Sequence, residues 1–432
     1  MEGSAALLES VPTEFDYFES KVIQAAIVSE YDRDFLPQGT FQPGAPIEFL
    51  VRSSSNSYLD LNNSKLELDC KVTNADGTDI AADVNVGLTN LTLHSLFSNI
   101  EMDLCSKRIT DANNLYAYRS FMETILTYDD DVSKTRLICE GWERDTEGHF
   151  DDFSMADAGT NTGFKSRSRK IARSRTFTLI GRPHLDLFHQ DKDIPPGCDL
   201  LLRLIPAPNA FVVKKPANVN EGFRIVIRSA RLWLRTKEVS PSLLLAHEHM
   251  LQKQNIRIPF TKVAMKHVTI PVGVTSMEFD NLYTGVLPER LLMGFVADTR
   301  MNGTSAENPF TFSNMGLSHV ALKVNGEQIP RIAYEPNFTT GDYLREYLGL
   351  LEGLALDSGT ESIAVTPTQW AETYPLFLFR LTPSGLPSVP KTGSARLELK
   401  FRAATNVIMN GVLFAEFPSM LEIDRYRNLL IA

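Results

Sequence analysis

The sequence is poor in cysteine. Cys70, Cys105, Cys139 and Cys198 are the only four in 432 residues, and no two form a C-x-x-C pair. That spacing fits neither a zinc site nor a disulfide framework, and leaves four reduced thiols as the expectation. Long apolar runs are missing as well, since no stretch approaches the ~18 residues of a membrane span. The first twenty residues, MEGSAALLESVPTEFDYFES, hold early acids and no apolar h-region. They do not read as a signal peptide, so the chain is expected inside the cell and not secreted, and the N-x-S/T triplets at Asn62, Asn90, Asn302 and Asn337 are chance matches. Positive charge is in deficit, with a net charge of -10, so the surface as a whole repels a phosphate backbone and any nucleic-acid contact needs a local patch. No P-loop, G-x-G-x-x-G, G-x-S-x-G or H-E-x-x-H occurs, which removes the common nucleotide, hydrolase and metalloprotease signatures.

What is present is ordinary globular material, 43% hydrophobic and 22% charged, with the 25 Gly and 23 Pro of a turn-rich β protein. The length argues for two domains of about 200 residues each. The stretch PIEFLVRSSSNSYLDLNNSKLELDCKVTNADG (46–77) shows the pattern. Leu66, Leu68, Cys70 and Val72 alternate with Glu67, Asp69 and Lys71, as Ile47, Phe49 and Val51 do earlier, and period two puts one set on each face of a half-buried strand. Asp76-Gly77 ends the run as a turn.

The pattern recurs. LFSNIEMDLCSKRI (96–109) lies on GLSHVALKVNGEQI (316–329) without a gap, with Cys105-Ser106 falling on the hairpin dipeptide Asn325-Gly326. A helical periodicity comes after each: Leu115, Tyr118, Met122 and Ile125 in the first, and Leu344, Tyr347 or Leu348, Leu351 and Leu354 in the second, with Arg119 and Arg345 at matching places. LLLRLIPAP (200–208) pairs with LELKFRAAT (397–405), and each precedes a β-rich run. The first copy carries a charged insertion near 127–180, long enough to imply function or disorder. Between the copies SPSLLLAHEHMLQKQ (240–254) reads as a linker helix, with Ser240 as N-cap and Pro241 at its first position. The expected architecture is all-β with a few short helices: a double jelly roll, two eight-stranded antiparallel β-sandwiches in tandem. Its divisions are an N-terminal arm (1–40), a first jelly roll (41–239), the linker helix (240–254), and a second jelly roll with a C-terminal tail (255–432).

Candidate chemistry is thin. His247-Glu248-His249 sits on a helix, where residues two apart diverge, so it reads as two surface histidines and not as a strand-borne metal pair. Asp129, Asp130 and Asp131 lack the calcium-loop spacing and read as a solvated acidic loop at a helix end. His184 and His189 flank an apolar turn and read as structural or surface residues. KSRSRKIARSR (165–175) brings Lys165, Arg167, Arg169, Lys170, Arg173 and Arg175 together, just after Glu143, Asp145, Glu147, Asp151, Asp152 and Asp157. These six basic residues are the candidate polyanion or inter-subunit contact, although no aromatic side chain is interleaved to stack bases. Pairing with acidic loops, its own or a neighbour's, is the competing reading. Residues 1–35 mix acids with Leu7, Leu8, Phe15, Tyr17, Phe18 and Ile23, as an arm folding onto a partner would. No catalytic, metal or cofactor site is expected.

In order along the chain, PIEF with YLDLNNSKLEL, VTNADGTDI, LHSLFSNIEMDL, YAYRSFMETIL, TNTGFK, DNLYTGVLPERLLMGFV, NPFTFSNMGLSHVALKVNGEQIP, PNFTTGDYLREYLGL, YPLFLFRLTP, RLELKF and LEIDRYRNLL run from about residue 40 to 430. Together they resemble the hexon-type major capsid proteins of Polinton/Maverick and adintovirus-like elements, a family related in architecture to adenovirus hexon and also found as virus-derived copies in animal genomes. The sequence departs from that family at Cys105-Ser106, where an Asn-Gly hairpin is usual, and in the strongly basic 165–175 stretch. The resemblance implies a non-enzymatic shell protein of an icosahedral double-stranded DNA virus or virus-like element, located in the virion capsid. It implies a homotrimeric capsomer meeting neighbouring capsomers, penton and minor capsid proteins, with weak contact at most to packaged DNA. Synthesis in the host cytoplasm and assembly in nucleus or cytoplasm go with it. A two-sandwich lectin or adhesion module and a cupin-type enzyme are the competing classes.

Overall fold

The computed structural model describes residues 24–82, 84–155, 161–356, 362–382 and 391–431. The part of the proposed arm before residue 24 lies outside the described residues. In the first half, the principal strands are β1 (Ile27–Phe35), β2 (Ile47–Val51), β3 (Ser57–Asn74), β4 (Phe97–Leu104), β5 (Lys107–Arg108), β6 (Phe177–Gly181), β7 (Leu200–Pro206) and β8 (Phe223–Val239). The second half has β9 (Ile256–Ile270), β10 (Ser276–Val286), β11 (Arg290–Ala297), β12 (Leu317–Val324), β13 (Glu327–Tyr334), β14 (Phe377–Arg380), β15 (Thr392–Phe401) and β16 (Met409–Ile423). The sheet orders are β1-β8-β3-β6 and β2-β7-β4-β5 in the first half, and β9-β16-β11-β14 and β10-β15-β12-β13 in the second. Adding eight to each strand number turns one half into the other, so the chain is two jelly rolls of one topology. A short pairing of Gly87–Leu88 with Val213–Lys214 supplements the first roll, and β17 (Leu429–Ile431) extends β16 in the second.

Alternation explains the strands. Ile47, Phe49 and Val51 face the core of the first roll, as do Leu66, Leu68, Cys70 and Val72 of β3. The polar face of β3 is held across the sheet. Asp69 accepts from Thr178 and Ser229, both at 2.6 Å, and Glu67 accepts from Trp233 Nε1 at 2.6 Å. β1, within the range read as an arm, is an edge strand zipped antiparallel onto β8 from Ile27 to Phe35 and exposed along most of its length.

Both hairpins turn alike. Cys105 (φ 46) and Ser106 (φ 65) adopt the left-handed conformation, as Asn325 (φ 51) and Gly326 (φ 87) do, so the first roll makes with unfavourable residues the primed turn that the second makes with the preferred ones.

The five longest helices among the described residues lie in the connections. α1 (Tyr116–Thr127) and α2 (Thr162–Ile171) fall between β5 and β6, α3 (Pro241–Leu251) joins the two rolls, and α4 (Leu344–Leu354) and α5 (Pro367–Glu372) fall between β13 and β14. β6 begins at Phe177, inside the range read as insertion. α1 buries Leu115, Tyr118, Met122 and Ile125, in line with its periodicity. α4 departs from its own in part: Tyr347, Leu351 and Leu354 pack half-buried against the core, but the most buried face is Glu346, Gly349, Leu350 and Gly353, and Leu344 and Leu348 are exposed. The reason is close packing: a Cβ at Gly349 would overlap the Tyr334 hydroxyl, and one at Gly353 would overlap Leu378, so the glycine ridge is the side that can approach the sheet. Arg119 and Arg345 also part company. Arg119 is buried against Glu123 and Asp186, whereas Arg345 donates to the carbonyls of Ile332 and Ala333 at the surface.

Candidate functional site

The two rolls meet over a wide, ordered junction. Phe121 of α1 stacks on Phe310 of the second roll at 4.1 Å between centroids, and Tyr118 donates its hydroxyl proton to the Pro309 carbonyl at 3.0 Å. The charged insertion grips the same loop. Arg300 makes a bidentate pair with Asp151 (2.6 and 2.8 Å), and the Asn308 side chain donates to Asp145 at 3.1 Å. Arg144 reaches the Ala364 carbonyl and Gln369, and Glu147 also accepts from Gln369. Acids that the linear pattern could pair only with the basic run therefore also tie one roll to the other. On the far side, α3 is anchored by Tyr58 to His247 at 2.7 Å and by Arg427 to Glu248 at 2.5 Å, which gives the His247-Glu248-His249 run a structural use.

The basic run 165–175 does not form one exposed patch. Lys165 is buried, and Arg167 is sealed in, both it and Asp145 being 3% exposed, with Nη2 to Asp145 at 2.6 Å and further bonds to the carbonyls of Leu88 and Glu143. Lys170 pairs with Glu143 at 2.6 Å. Arg169, Arg173 and Arg175 stay exposed. The run is amphipathic: its α2 part spends its inward charges on the acidic loop beneath it. Asp129 is the N-cap of a short turn, accepting from Val132 N at 2.9 Å, and Asp130 pairs with Lys134 and Arg144.

The fold also assembles a group that the linear order keeps apart. His94, Glu123, Glu140, His184 and His189 converge at one end of the first roll. The rings of His94 and His184 lie 4.5 Å apart edge to face, and those of His184 and His189 5.6 Å. His184 Nδ1 meets the Glu123 carboxylate at 2.5 Å, while Arg119 binds Glu123 at 2.8 Å and Asp186 at 2.7 Å. Burial lowers the His94 pKa, with His184 adding to the shift, so this ring is neutral near pH 7. Burial alone would raise Glu123, but the Arg119 guanidinium and the His184 bond hold it well below the usual carboxylate range. No spacing rule could have found this cluster, because its five members come from three different connections, those before β4, between β5 and β6, and between β6 and β7.

Exposed apolar side chains gather elsewhere. Leu344 and Leu348 stand one turn apart on α4, near Ile332, at 60%, 48% and 72% exposure.

No family model matches the chain. An uncharacterised protein of Caenorhabditis elegans is 22% identical over 411 residues, covering 91% of this chain and 95% of that protein. Among solved structures, a chain of the Sputnik virophage matches with a TM-score of 0.66 at 12% identity, over 100% of this chain and 94% of that one. The Faustovirus major capsid protein matches at 0.57 and 9% identity (94% and 92% covered), and the mavirus major capsid protein at 0.52 and 10% (100% and 96% covered). The likeness spans both rolls and establishes the fold as the double jelly roll of these viral proteins.

Proposed function

We propose that this chain is the major capsid protein of an icosahedral double-stranded DNA virus or virus-like element, and that three copies close into a pseudo-hexagonal capsomer. One observation carries the trimer. α1 of the first roll buries its outer side against the Pro309–Phe312 segment, which connects β11 to β12 of the second roll. α4 is its counterpart in the second roll, yet Leu344 and Leu348 of α4 face solvent. A head-to-tail ring supplies the missing partner. The second roll of each copy meets the first roll of the next, α4 brings Leu344 and Leu348 into that contact, and six similar walls close a six-sided outline. Duplication lets a three-fold object fill a six-fold lattice place.

The residue resemblance to Polinton/Maverick and adintovirus-like capsid proteins supports that finer assignment, and a nematode relative of matching length fits a family resident in animal genomes. In this reading the exposed Arg169, Arg173 and Arg175 are contacts to neighbouring capsomers or minor proteins, the net charge of -10 keeps the shell from gripping DNA, and the protein works in the virion.

Native mass spectrometry is expected to give a particle of about three times the 48.3 kDa chain. The double substitution Leu344→Glu and Leu348→Glu, which places charges in a desolvated contact, is expected to leave folded monomers. A wild-type monomer at micromolar concentration, or trimers unaffected by the double substitution, would refute the arrangement.

A further inference from the structure

We propose that His94, Glu140 and His184 form a binding site for one divalent transition ion, zinc by preference, that staples three connections of the first roll. The three residues each place a ligand atom within 4.8 Å of the others, and His94 Nε2 stands 3.4 Å from the Glu140 carboxylate. Two ligands bound tetrahedrally to zinc at about 2.0–2.1 Å stand about 3.4 Å apart, so this edge already has the separation the ion requires. At 3.4 Å it is a poor hydrogen bond, and His94 Nε2 is fully buried with no hydrogen-bond partner. A buried ring nitrogen without a hydrogen-bond partner, held opposite a carboxylate at this separation, is what an ion would satisfy.

The second nitrogens of both rings are already engaged. His94 Nδ1 lies 2.9 Å from the Tyr116 hydroxyl, and His184 Nδ1 lies 2.5 Å from the Glu123 carboxylate. Proteins orient metal-binding histidines in this way: the outer N–H donates to an oxygen and the other nitrogen is presented to the ion. Glu140 is held at the end of a short helical turn, Arg136–Glu140, against Gly181 at the end of β6. A Cβ at Gly181 would overlap the Glu140 side chain, so a glycine is what lets the carboxylate reach this position. Glu140 supplies the anionic ligand, and Arg136 acts on its carboxylate from the same side-chain cluster. An open cavity of about 420 Å³ reaches Glu140, His184 and His189, with Lys65, Arg136, Arg182 and Arg235 also on its wall, so an ion would enter past basic side chains and bind by its ligands and not by the field of the cavity.

Two imidazoles and one carboxylate suit zinc, and an all-oxygen ion such as calcium or magnesium is disfavoured. The ion would join the connections carrying residues 94, 140 and 184, and so stiffen the end of the roll that α1 shares with the junction.

The test uses the full-length protein, stripped with chelator and then titrated with ZnCl₂ and, separately, with CoCl₂. One zinc per chain by elemental analysis, a rise in melting temperature on adding zinc, and the visible absorption of four-coordinate cobalt are expected. Glu140→Gln, which keeps the shape of the side chain, is expected to weaken zinc binding at least tenfold, and Tyr116→Phe, which removes only the outer oxygen, about tenfold. Both variants are checked for wild-type circular dichroism without metal. Zinc bound below stoichiometric amounts at micromolar concentration, cobalt with the weak spectrum of a six-coordinate ion, or binding unchanged in Glu140→Gln would each overturn the site.

Discussion

Arg167 offers the sharpest test of how the basic run is used. Its guanidinium donates to Asp145 at 2.6 Å, to the Leu88 carbonyl at 2.7 Å and to the Glu143 carbonyl at 2.6 Å, with both charged side chains 3% exposed. Arg167→Ala removes all three bonds and leaves the Asp145 carboxylate with the Asn308 amide at 3.1 Å. Breaking a buried pair from one side costs about 3–5 kcal/mol, because the remaining charge stays desolvated. For a cooperative unit of about 200 residues, each kcal/mol lowers the melting temperature by about 2–4 °C, so a fall of roughly 6–20 °C is expected. Arg169→Ala, two residues away on the exposed side, should move it by no more than about 0.5 kcal/mol. The double variant Arg167→Met with Asp145→Leu removes both charges and should recover most of the loss. Calorimetry at one fixed chain concentration, so that assembly does not shift the midpoint, reads all of these. An Arg167→Ala protein as stable as Arg169→Ala, or a double variant no better than the single, would refute the assignment of Arg167 to the interior.

Two other outcomes rest on local physics. Cys105→Asn with Ser106→Gly gives the first hairpin the dipeptide its turn favours, and since each left-handed side-chain residue costs about 1–2 kcal/mol, the double substitution should raise the unfolding free energy, read from urea denaturation, by about 1 kcal/mol or more; a decrease would show that Cys105 packing outweighs turn strain. Lys214 is 2% exposed, with Nζ donating to the carbonyls of Ala210 (2.9 Å) and Thr304 (2.7 Å), and burial pulls its pKa down to about 7, against the opposing field of Asp151 and Glu307. The unfolded chain keeps that proton to about pH 10.4, so the native state binds fewer protons between about pH 7 and 10 and gains up to about 1.4 kcal/mol per pH unit there, while below about pH 7 the cost of the buried charge is fully present. Urea midpoints of the wild type and Lys214→Met at about pH 6.5, 7.5 and 8.5 should diverge in favour of the wild type as pH rises; parallel curves would sink this.

The fold was largely legible in the chain because a strand with one buried face must alternate, and a one-residue slip would turn that face to water. Leu66 to Val72 declared β3 in this way, and the ungapped match of 96–109 with 316–329 declared two rolls of one topology before any strand order was known. Turn chemistry was less reliable: Asn325-Gly326 announced its hairpin, whereas Cys105-Ser106 takes the same shape only because β4 and β5 hold it there. α4 misled in part, at Leu344 and Leu348, for a different reason. Leucine spacing marks a face able to bury itself, and two glycines with no hydrophobic signal decided which side could come close to the sheet.

Charge and histidine chemistry were beyond the linear pattern. Arg167 and Arg169 are indistinguishable by type and spacing, and only helix phase over an acidic loop sends one inward and the other to solvent. His94, Glu140 and His184 lie far apart along the chain and meet because jelly-roll connections return to the same end of the barrel. Alternation and repetition are local properties that each stretch of chain carries with it, so the sequence determined the double sandwich. Which side chains share a buried volume depends on how distant connections cross, so the junction, the ion pairs and the histidine cluster were decided by the tertiary structure.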